Sequence, residues 1–120
     1  MILLADPDPE TRDELQVVLE QAGHAVTAVA TGLEAAQVLM QTAPRLIVID
    51  LDLKWLSGRQ LIELLRHNPR TYFIPIVAIA GGLEDLRGIP LLVRPVVAQE
   101  VLALVDRFLP SAGRHDWPLI

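Results

Sequence analysis

Residues 46–49, Leu-Ile-Val-Ile, are apolar at every position and run directly into Asp50. A strand with one wet face alternates polar and apolar residues, whereas a strand apolar on both faces belongs in a parallel sheet covered by helices on each side. The rest of the chain keeps that rhythm. Residues 1–5, 24–29, 74–80 and 91–93 read as further strands, separated by longer amphipathic stretches. Residues 9–22 put Leu15, Val18, Leu19 and Ala22 on one helical face and stop at Gly23. Thr31 caps a helix from 32 to about 42, which Pro44 brings to an end. Ser57 caps a third helix with Leu61, Leu64 and Leu65 inward, closed by Asn68-Pro69. The last helix, 98–109, faces Val101, Leu104, Val105 and Phe108 to the core and ends at Pro110. Residues 81–90 leave room for only about two turns of helix between strands, so one crossover is stunted. The sum is an α/β fold, a doubly wound five-stranded parallel sheet with a shortened fourth helix.

Composition narrows the function classes. At 120 residues and 52% hydrophobic, the chain fits one globular domain and excludes disorder. It has no cysteine, hence no disulfide, thiolate zinc site or cysteine nucleophile, which suits a reducing cytoplasm. The apolar runs are too short to span a bilayer, and Met1 leads into a strand rather than a basic flank and cleavage site. The expectation is a cytoplasmic, unexported protein with no membrane contact. With a net charge of −5 and its arginines scattered singly, the chain lacks the basic patch that direct nucleic-acid contact needs. The tail, 111–120, holds Trp117, Pro118 and Ile120 and reads as a linker stub or a docking segment.

Ligands of an open parallel sheet bind beyond the carboxyl ends of its strands. The residues there are Asp6, Asp50, Ala80 and Arg94, with Asp8 and Asp52 close behind. Carboxylates brought together repel unless a cation joins them, and such an oxygen cluster is how proteins hold Mg²⁺. The plainer reading makes Asp6, Asp8 and Asp52 turn and cap residues.

Three motifs in order, the opening strand with Asp6-Pro7-Asp8-Pro9-Glu10, the strand ending in Asp50 with Gly58 eight residues on, and Arg94-Pro95, resemble the receiver domain of two-component response regulators. The resemblance covers about residues 1–109 and implies the flavodoxin-like fold. It also implies a phosphorelay role in which a histidine kinase phosphorylates Asp50 with Mg²⁺ bound. The family's acidic pair is Asp6-Pro7 here, so one metal carboxylate is lost. Asp52 can still offer its backbone carbonyl, and its side chain or that of Asp8 can replace the missing ligand, giving Asp6, Asp50 and Asp52 as the metal set. Ala80 stands where the family has its switch serine or threonine, Arg94 where it has lysine, and Leu91 where it has an aromatic ring. The fourth helix shrinks to about 83–87.

These departures point to a degenerate, pseudo-receiver site with doubtful Mg²⁺, in which Arg94 reaches in to pair with Asp50 or Asp6. The plainer expectation for Arg94 is an outward salt bridge. Signalling then passes through protein partners, a histidine kinase or a downstream protein, with a homodimer as one arrangement. Conventional phosphorylation of Asp50 is the alternative. A small ligand- or nucleotide-binding module is the other class, but neither G-x-G-x-x-G nor G-x-x-x-x-G-K is present, and Gly81-Gly82 offers only a weak anion loop. No hydrolytic triad or zinc spacing can be assembled from Ser57, Ser111, His24, His67 and His115. Trp55 and Leu56 mark a candidate interaction surface, with covering of the core edge as the equal alternative for Trp55.

Overall fold

The strand that is apolar throughout, β3 (Leu46–Asp50), lies at the centre of the sheet, with all five residues buried. Around it the computed structural model, which describes residues 1–110, arranges five parallel strands in the order β2-β1-β3-β4-β5. The others are β1 (Ile2–Ala5), β2 (Val26–Val29), β4 (Ile76–Ala80) and β5 (Leu91–Val93). Four helices cover the sheet: α1 (Pro9–Gln21), α2 (Gly32–Gln41), α3 (Gly58–Arg66) and α4 (Ala98–Phe108). Alternate residues of each central strand feed two cores, as a period of two requires. Leu3, Ile47, Ile49 and Ala78 pack with Ala35, Leu61 and Leu65 on the α2/α3 side. Leu4, Val48, Val77 and Ile79 pack with Leu15, Leu19, Val101 and Val105 on the α1/α4 side. The expected fold class holds.

Polar side chains set the helix starts. Thr31 and Ser57 each accept from the backbone N–H three residues on, and Glu34 and Gln60 reach back to complete two capping boxes. Asp8 caps α1 by accepting from the Thr11 N–H and hydroxyl at 3.2 and 2.6 Å. These two bonds hold its carboxyl below the ordinary carboxylate range.

Several boundaries and faces differ from the sequence reading. β4 begins at Ile76 rather than 74, because the Ile74 N–H donates to the Thr71 carbonyl and the Ile74 carbonyl accepts from Arg66 Nη1. β2 begins at Val26, after Ala25 has accepted from the Ile2 N–H. The inward face of α3 is Leu61, Ile62 and Leu65, while Leu64 is 57% exposed. Phe108 likewise lies outside the core, which closes on Val101 and Val105 with Leu109 instead. The crossover from β4 to β5 has the expected length, 81–90, but the short helix expected at about 83–87 does not form. Leu86 and Ile89 pack directly on the core there, and Glu84 is tied back by an ion pair to Arg59. The expectations for 111–120, Trp117 and Pro118 among them, lie outside the described residues.

Candidate functional site

Strand register builds the site. Ala5 pairs with Ile49, so Asp6 and Asp50 emerge side by side from the two central strands. Ala80 pairs with Val93, and the Arg94 N–H donates to the Ala80 carbonyl at 2.9 Å, which sets Arg94 at the same end of the sheet. Asp6 and Asp50 are 1% and 0% exposed, and with Thr71 they are the polar side chains buried in the described residues. Two adjacent buried carboxylates repel, and the structure answers with a guanidinium. Arg94 Nη2 donates to Asp50 Oδ1 and Oδ2 at 2.6 and 2.5 Å. The same nitrogen lies 3.2 Å from Asp52 Oδ2, whose side chain is largely exposed. Burial pulls the Arg94 pKa down, but the hydrogen bond and charge of Asp50 outweigh it, leaving it above the ordinary arginine value. Small residues make room for this reach. The site has only a methyl group at Ala80, and a Cβ at Gly81 would stand 3.3 Å from Arg94 Nη1.

Asp6 is held differently. Its Oδ1 accepts from the Asp8 N–H at 2.9 Å, its carbonyl accepts from Arg12 Nη1 at 2.8 Å, and its Oδ2 is buried without a partner. Burial, reinforced by the charge of Asp50, pushes its pKa up to about 6. The folded state therefore binds this proton more tightly than the unfolded chain does. Its stabilising effect is complete below about pH 4 and is lost as pH rises through 6. We predict that Asp6→Asn, which keeps the acceptor for Asp8, stabilises the fold by about 2 kcal/mol at pH 8 and by almost nothing at pH 4. Urea denaturation at the two pH values reads this directly, and a gap independent of pH would contradict it.

Of the residues singled out from sequence, Asp6, Asp50, Asp52, Ala80 and Arg94 meet at one place. The side chain of Asp8 is engaged at the start of α1, and Leu91 is half-buried against the α2/α3 core. Trp55 is 75% exposed, which settles its placement away from the core edge. Gly58, already part of the Asp50 motif, and Gly32, which the sequence reading did not single out, make room at the site. A Cβ on Gly58 would stand 2.5 Å from the Asp50 carbonyl oxygen, and one on Gly32 would run into the Leu56 carbonyl, so both glycines let a helix start close against the loop after β3.

A family model for the response regulator receiver domain matches residues 2–87. The chain belongs to that family. Receivers are in general signalling modules rather than enzymes, and they work with histidine kinases and effector proteins. This receiver is 33% identical to an uncharacterised 14.6 kDa protein of Leptolyngbya boryana, over 89% of this chain and 88% of that one. It is 30% identical to the DNA-binding dual master transcriptional regulator RpaA of Synechocystis sp., over 96% of this chain but only 54% of the regulator. The chain thus spans about half the length of that regulator. In structure it is similar to the receiver domain of sensor histidine kinase PA1611 from Pseudomonas aeruginosa (TM-score 0.78, 23% identity, 92% and 97% of the two chains). That protein holds a magnesium ion in its active-site cleft.

In this chain the oxygens at the same end of the sheet are already engaged in part. Both Asp50 oxygens accept from Arg94, Pro7 offers no side-chain oxygen, and no group of three His, Cys, Asp or Glu able to hold a metal occurs among the described residues. Nor is any helix among them long and apolar enough to cross a membrane.

Proposed function

We propose that this receiver is atypical: Arg94 takes up the place of a cation at Asp50, and the domain signals through protein contact with weak or no phosphorylation. The observation that carries the reading is the single Arg94 nitrogen bridging both oxygens of a carboxylate with no solvent exposure. An aspartate can take a phosphoryl group only with a free oxygen, and transfer needs cations on the equatorial oxygens. Here Arg94 sits against both oxygens, where it has to give way before a phosphoryl donor and a metal ion can approach. Ala80 supplies no hydroxyl to a phosphoryl group, and Leu91 no ring to move in response, so the two states that a switch requires have little to tell them apart. On this reading residues 1–109 are the receiver body, 110–120 a tail or linker stub, and the protein works in the cytoplasm. Its partners are a histidine kinase or a downstream protein. One observation favours the second reading, conventional phosphorylation of Asp50 with Mg²⁺. The unpartnered Asp6 Oδ2 is a buried oxygen a metal would use, with Asp52 as the added ligand if Arg94 swings out.

Backbone amide NMR of the full chain separates the two. On adding millimolar Mg²⁺ and then beryllofluoride, which mimics an aspartyl phosphate, we expect the amides of Asp6, Asp50 and Gly81 to stay in place, in the wild type as in an Asp50→Asn control. Shifts in the wild type alone would contradict the reading.

A further inference from the structure

Between α2 and α3 lies a groove of about 430 Å³, lined by Ala36, Leu39, Met40, Leu61, Leu64 and Thr71, with Arg70 at its edge. It lies on the α2/α3 face, whereas the acidic pocket lies beyond the carboxyl ends of the strands. Its apolar rim is open, with Met40 80% and Leu64 57% exposed. Leu64 is the α3 leucine that leaves the core, and in lining the groove it has a place that packing within the domain does not explain. Charge marks the same region. The charged side chain among its lining residues is Arg70, a cation in a chain whose net charge is −5.

We propose that this groove docks an amphipathic helix of a partner protein, with leucine-like side chains toward Met40 and Leu64 and an acidic residue toward Arg70. Two helices flanking an apolar trough are the usual receptor for such a helix. The local positive charge selects an acidic flank, because complementary potentials steer encounter and like charges reject wrong partners. The same argument disfavours a symmetric second copy, which would bring Arg70 against Arg70. The proposal rests on signalling by protein contact and not on the state of Asp50, so the groove and the pocket fail or stand in separate experiments.

The test titrates the full chain with a synthetic helical peptide bearing Leu at i, i+3, i+4 and i+7 and Glu on the flanks, followed by amide NMR. Saturable shifts confined to 36–43 and 61–71 are expected. A peptide with Lys in place of Glu should bind about tenfold more weakly, and Leu64→Glu should remove the shifts while leaving the rest of the spectrum unchanged. Absence of shifts, or equal binding of both peptides, would overturn the proposal. So would movement of the same amides on concentrating the chain alone, which assigns the groove to a second copy, or on Trp117→Ala, which assigns it to the chain's own tail.

Discussion

Replacing Arg94 with methionine is expected to destabilise the domain by about 2–3 kcal/mol at neutral pH, whereas Asp50→Asn costs about 1 kcal/mol or less. The asymmetry follows from burial. Asp50 is fully enclosed, so removing Arg94 leaves a carboxylate with neither water nor its cation, and only the Asp52 N–H, 2.8 Å from Oδ1, still donates to it. The Arg94 side chain is 33% exposed and keeps Asp52 as a partner, so it tolerates the loss of Asp50. Its partial exposure also places the Arg94→Met figure below the full range for buried pairs. Combining the two substitutions should recover most of the loss, since the amide no longer needs a cation. Chemical denaturation of the three variants measures the coupling. Equal effects of the two single substitutions, or strict additivity in the double, would mean that Arg94 is an ordinary surface arginine.

Gly32→Ala should be as damaging, at about 3 kcal/mol, for a reason that is purely steric. The added Cβ would meet the Leu56 carbonyl carbon at 2.7 Å and Leu56 Cβ at 2.9 Å, besides overlapping the carbonyl oxygen. None of these atoms is the free end of a flexible side chain. The loop has no slack to give, because Trp55 and Leu56 already sit in left-handed backbone at φ 54° and 97°, which side chains avoid. The Gly32 N–H also donates to the Lys54 carbonyl at 3.0 Å. Relief of the clash therefore costs that bond or more strain beside the residues that follow Asp50. Gly82→Ala is the control, since nothing lies within 4 Å of its added Cβ, and it should change stability by under about 0.5 kcal/mol. A similar, small effect at both glycines would contradict the close approach of α2 to this loop.

Much of this was legible in the residues themselves. The unbroken apolar run of β3 required a sheet covered on both faces, and the Thr31 and Ser57 caps located two helices because their side chains have one good use there. Asp6, Asp50 and Arg94 could be brought together by the rule that parallel strands gather their carboxyl ends. What escaped was set by tertiary contact. Leu64 and Leu65 look equally apolar in sequence, yet only one faces the core. Gly32 matters through what approaches it, since it has no left-handed φ that a turn pattern would announce. The crossover at 83–87 has helical spacing but is anchored by Leu86, Ile89 and the Arg59–Glu84 pair, which hold the chain without a helix.

The central claim is that a guanidinium does permanently at Asp50 what a metal ion does in other receivers. The most direct measurement is a crystal structure of the full chain grown in excess Mg²⁺. The account predicts Arg94 Nη2 still within hydrogen-bonding distance of both Asp50 oxygens. An octahedral ion on Asp6 and Asp50, with Arg94 turned out to solvent, would contradict it.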